Sequence, residues 1–104
     1  MAILKLRKEM FPAIYSGKKT STSRQGKRSF KPGTYLTIVA KEDESVSVDV
    51  LITDVSHCKF NELDEEEAIR EGYDSLKEMK ETLEKIYDIS KDDNFTLIEF
   101  SLRK

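Results

Sequence analysis

Ile3, Leu4 and Leu6 interleave with Lys5 and Arg7, and this alternation predicts a short first strand. The period then lengthens. Phe11, Ile14 and Tyr15 recur at helical spacing, Pro12 is tolerated only in a first turn, and Gly17 supplies the left-handed residue that closes a helix. All three of those apolar side chains are expected in the core. The run Thr20-Ser21-Thr22-Ser23 favours an extended strand through its two β-branched residues, with Thr20, Thr22 and Arg24 on one face and Ser21 and Ser23 on the other. From Gln25 to Gly33 the chain holds Gly26, Pro32 and Gly33 among Lys27, Arg28 and Lys31, which predicts a flexible basic loop ending in a turn.

Tyr35 to Ala40 is rich in β-branched and aromatic residues and reads as a strand, followed by a polar connection from Lys41 to Ser45. Val46, Val48, Val50 and Ile52 then alternate with polar residues and predict a long strand with one face on a core. Asp64 with Glu67 has the form of a capping box, and Leu63 and Ala68 stand where a hydrophobic staple would place them. That helix should stop at Gly72, which leaves Glu71 in the last turn, where a carboxylate opposes the negative end of the helix dipole. Ser75 with Glu78 opens a second helix whose stripe of Leu76, Met79, Leu83, Ile86 and Tyr87 is packing. Phe95, Leu97, Ile98, Phe100 and Leu102 form a last strand, apolar on both sides near its middle and so expected at the centre of the sheet. This order lacks regular βα alternation. It predicts one α+β domain over residues 1–104, a small curved sheet or partly closed β-barrel flanked by helices.

Charge changes the picture more than composition does. The chain of 104 residues is 38% hydrophobic and 37% charged, as a folded domain is, and its net charge is only -2. Yet residues 1–34 carry nine basic side chains against Glu9 alone, a balance of +8, which leaves -10 for the rest. Gathered on one surface, the basic set would attract phosphate. The single cysteine, Cys58, has no partner for a disulfide and is expected to behave as a small buried hydrophobe, and His57 is expected to be structural. No Cys/His cluster has metal-ligand spacing, so no metal or other cofactor is expected. With no membrane-length apolar run and no signal-peptide core, a cytoplasmic monomer is expected.

The stretch from Ser16 to Arg24 concentrates Lys18, Lys19, Thr22 and Arg24 at a helix exit and strand entrance, which marks a candidate site. It is not a phosphate-binding P-loop, whose first glycine is missing upstream. The pattern Ile14-Tyr15-Ser16-Gly17-Lys18-Lys19-Thr20 with Thr22 and Arg24, then Lys31-Pro32-Gly33, then Phe60-Asn61-Glu62-Leu63, Ala68, Glu71-Gly72-Tyr73 and Leu76 resembles the ASCH domain of the PUA-like superfamily. Within it, length and layout are most similar to the small N(4)-acetylcytidine amidohydrolases. That resemblance implies a Lys, Thr and Glu catalytic set, which by position is Lys19, Thr22 and Glu71. Ser21 and Ser23 depart from the bulky apolar residues common in that strand of the family. The partner implied is a modified nucleoside or RNA, with Lys18, Arg24, Lys27, Arg28, Lys31 and Tyr73 as contacts and Phe30 as a further stacking candidate.

Amide cleavage needs a nucleophile, a base, a proton for the leaving nitrogen and a group to hold the oxyanion. Thr22 can attack, and Glu71 can carry a proton to the cytosine amine. Lys19 can act as base only if desolvation or neighbouring cations bring it from about 10.4 toward about 7 to 8. A close ion pair between Lys19 and Glu71 would instead make Glu71 the base and Lys19 the oxyanion stabiliser. The alternative is a non-catalytic RNA-binding ASCH module linked to translation or its regulation, using the same basic pocket.

Overall fold

The computed structural model describes residues 2–102. Strands β1 (Ala2–Leu6), β2 (Ser21–Gln25), β3 (Tyr35–Ala40), β4 (Ser47–Lys59) and β5 (Asn94–Leu102) form one sheet in the order β1-β3-β4-β5-β2. The only parallel pair is β1 with β3; the other three neighbours run antiparallel. The sheet curls into a half-barrel. Its two edge strands, β1 and β2, are linked by a side chain, since the Arg24 guanidinium donates to the Lys5 carbonyl at 2.6 Å. Helices α1 (Phe11–Ser16), α2 (Glu65–Arg70) and α3 (Leu76–Ile86) flank it.

The predicted elements are all present, with four differences. Strand β4 runs on to Lys59, past the expected end near Thr53, because a register break between Ile52 and Asp54 bends it and lets its second half pair with the start of β5. That bend divides the apolar interior. One cluster gathers Leu4, Phe11, Ile14, Leu36, Ile38 and Phe100, and the other holds Phe60, Leu63, Ala68, Met79, Leu83 and Phe95 under α2 and α3. Second, β5 is paired on both sides but lies one place from the edge, so its two-sided apolar character reflects cover on both faces, not the middle position, which β4 takes.

Third, Tyr15 is 55% exposed, whereas Phe11 and Ile14 are buried. With α1 only six residues long, the core-facing stripe is too narrow to include all three. Fourth, the basic loop is pinned: the Arg28 amide donates to the Thr96 hydroxyl, which itself donates to the Gly26 carbonyl, each at 2.8 Å. Thr96 is fully buried and carries this loop on β5. Cys58 is half-buried against the second cluster. Packing and nearby acids push its thiol up to about 11, an inert setting.

Candidate active site

Gly17, at φ 84°, ends α1 and turns the chain before β2 begins at Ser21. The connecting residues are clamped from both sides, as the Lys19 amide donates to Ala13 of α1 at 2.9 Å and the Thr20 amide to Arg70 of α2 at 2.7 Å. Lys19 therefore enters the interior ahead of the strand and escapes the strand alternation that would separate it from Thr22. Gly72, at φ 91°, lets the chain turn sharply after Glu71, and a side chain there would stand 3.5 Å from the Lys19 Cβ.

Lys19, Glu67 and Glu71 are each 2% exposed. Such groups are costly to bury unless partnered. The Lys19 ammonium donates to the main-chain carbonyls of Ser21 at 2.8 Å and Glu71 at 3.1 Å. No carboxylate lies within ion-pair distance of it among the described residues, so the close Lys19–Glu71 pair does not form. Burial lowers Lys19 to about 8, with Arg24 assisting and the Glu71 charge opposing.

The carboxyl of Glu71 turns instead to the Ser23 hydroxyl, which donates to Oε1 at 3.0 Å, while Oε2 is buried with no partner among the described residues. Burial and the neighbouring Glu67 carboxyl raise Glu71 well above the usual carboxylate range, against Lys19 and Ser23. Thr22 is buried and accepts a hydrogen bond from Arg24 Nη1 at 2.9 Å, which leaves its own proton free to be donated. Among the described residues Arg24 has only neutral acceptors, the Thr22 hydroxyl and the carbonyls of Ser23 and Lys5.

Lys19, Thr22, Ser23, Arg24, Glu71 and Tyr73 all line one cavity of about 280 Å³ between the edge strands and α3. Arg7, Arg28 and Lys41 add basic side chains around it, and Ile86 of α3 with Tyr87 just beyond it closes one wall. The expected catalytic set is thus brought to one space with Arg24, Arg28 and Tyr73. Lys18, Lys27 and Lys31 lie outside this cavity, Lys18 being an exposed side chain 3.7 Å from Asp74. Phe30 is packed against the first apolar cluster.

Glu67 escaped the sequence reading because its position fits a capping box. Only half of that box forms. Asp64 accepts from the Glu67 amide at 2.8 Å, but the Glu67 side chain points inward, where its Oε2 accepts from the Ser21 hydroxyl at 2.7 Å. The available signal was Ser21 and Ser23, two small polar residues on one strand face, the size that admits acids from a helix packed over them.

The model of the ASCH domain matches residues 2–104. Among solved structures, an ASCH domain from Lactobacillus crispatus JV V101 is similar at a TM-score of 0.82 and 17% identity, over 97% of this chain and 79% of that one. Protein EF3133 from Enterococcus faecalis V583 gives 0.79 and 20%, over 99% and 76%. The ASCH protein of Zymomonas mobilis gives 0.68 and 19%, over 98% and 66%. At these identities the likeness is one of fold. No curated protein matches the chain.

Proposed function

The chain belongs to the ASCH domain family, and from that premise we propose that it is an amidohydrolase that removes the acetyl group of N(4)-acetylcytidine, giving cytidine and acetate. The observation that carries this reading is the cavity itself, in which a buried lysine lowered to about 8, a threonine hydroxyl and a buried acid with an unpartnered oxygen face one space. Proton-transfer groups near neutrality are what amide cleavage requires. A volume of about 280 Å³ is at the small end for ligand pockets. It suits a nucleobase with its acetyl amide, the sugar remaining at the basic mouth.

In this reading Thr22 Oγ attacks the acetyl carbonyl and passes its proton to neutral Lys19. With a value of about 8, roughly a tenth of Lys19 is neutral at pH 7. The Arg24 guanidinium, which has no carboxylate partner among the described residues and already touches Thr22, holds the oxyanion. Glu71 gives its proton to the departing cytosine nitrogen, leaving an acetyl ester on Thr22. Water then attacks that ester and yields a proton to Glu71, and Lys19 returns a proton to the Thr22 oxygen as acetate leaves. The sum is amide plus water to amine plus acid.

The test is to incubate purified protein with N(4)-acetylcytidine and follow cytidine and acetate. Wild type should release both in equal amounts, and failure to release either removes the enzyme reading. The non-catalytic alternative, an RNA-binding module linked to translation or its regulation, draws support from the exposed Lys27, Arg28 and Lys31. It predicts salt-dependent RNA affinity with no turnover.

A further inference from the structure

The Glu71 carboxyl is half of a pair. Glu67 lies one helical turn earlier, on α2, and is equally buried. Two carboxylates are both acceptors, and two negative charges one turn apart in a buried site disfavour each other, so the site favours a proton on one of them. Glu67 is fully engaged by donors: the Ser21 hydroxyl on Oε2 at 2.7 Å, and Arg70 on Oε1 through Nε at 3.2 Å and Nη2 at 2.9 Å. Glu71 receives one donor, Ser23, and keeps a buried oxygen with none. Donors, two of them on Arg70, already satisfy both oxygens of Glu67, whereas the donor-less oxygen of Glu71 is the one that a proton satisfies.

We propose that Glu67, held by Ser21 and Arg70, is a positioning residue that keeps Glu71 in its protonated form at the wall of the cavity. Of the two acids only Glu71 lines the cavity, so Glu67 acts from behind it. The groups that line the cavity with Glu71 include Lys19 and Arg24 from the β2 side and Tyr73 after α2. The two cations favour the ionised acid; burial and Glu67 outweigh them. The catalytic consequence, a proton ready for the leaving amine, rests on the amidohydrolase reading, whereas the protonation state does not.

Carbon-13 NMR of the side-chain carboxyls, followed against pH in the wild type, Glu67→Gln and Arg70→Gln, tests this directly. Wild-type Glu71 should remain neutral above the ordinary carboxylate range, and Glu67→Gln should move its titration down toward that range. In Arg70→Gln, Glu67 loses its cation and the titration of Glu71 should move with it. A wild-type Glu71 ionised at neutral pH, or a titration unmoved in both variants, overturns the proposal. If Glu67→Gln does not fold, Arg70→Gln carries the test, its side chain being 37% exposed. With N(4)-acetylcytidine as substrate, Glu67→Gln should also move the limb of the kcat/KM profile that belongs to Glu71 to lower pH; a merely structural role would lower the rate and leave the limb in place. NMR results as expected with no hydrolysis by any form would uphold the acid pair and remove the amidohydrolase reading.

Discussion

Strands β2 and β3 are of similar length and obey opposite rules. In β3, burial alternates, with Leu36, Ile38 and Ala40 inside and their neighbours partly or fully out. In β2, Ser21, Thr22 and Ser23 are buried in succession, although β2 is an edge strand. Both faces of β2 are covered, one by the acids of α2 and the other by the cavity with Arg24 spanning to β1. A hydrophobic strand there would strip both buried carboxyls of their hydroxyl donors, leaving Glu67 only Arg70. The contrast shows a fold held by its apolar half and a site built from small hydroxyls in the other half.

The contrast can be broken most sharply at the site. Lys19→Met keeps the volume but removes the base, and N(4)-acetylcytidine hydrolysis should fall by roughly 10²- to 10⁴-fold in a steady-state assay. Ile38→Ala addresses the apolar half, where the cavity left behind should cost about 2 to 5 kcal/mol in urea unfolding.

Lys19 also makes stability depend on pH. The folded chain releases this proton near 8 and the unfolded chain near 10.5, so between them the unfolded state binds more protons and stability rises with pH. The gain over that window is roughly 3 kcal/mol and should vanish in Lys19→Met, measured as the difference between the two unfolding curves at each pH. Glu71 acts with the opposite sign, since its raised value makes the folded state the better proton binder above the ordinary carboxylate range, and stability falls there as pH rises.

Ser23→Ala removes the one side-chain donor to the Glu71 carboxyl among the described residues and should cost about 1 to 3 kcal/mol, more than serine deletion on a solvated strand. The smallest effect is expected at Lys31→Ala on the exposed loop, within about 0.5 kcal/mol of wild type.

Alternation and capping made most of the fold legible in the chain. The β3 strand, Gly17, the Asp64 and Ser75 caps and the Met79 and Leu83 stripe each follow a local rule that tertiary contacts leave intact. The bend in β4 was hidden because its second half, from Asp54 to Lys59, alternates weakly and pairs only through a register break. Tyr15 departs from its periodicity because spacing does not set how wide a face a short helix buries. At the site, Lys19, Thr22 and Glu71 stood out by residue type and by family likeness, but their partners did not. The inward turn of Glu67 depends on Ser21, 46 positions away in the chain, a contact that no window of sequence contains.

The account turns on Thr22 taking the acetyl group. Wild-type protein mixed with excess N(4)-acetylcytidine, quenched over the first turnovers and digested for peptide mass spectrometry, should show an acetyl group on Thr22 that forms and decays as cytidine appears. Cytidine release with Thr22 unmodified throughout, and undiminished in Thr22→Ala, would contradict it.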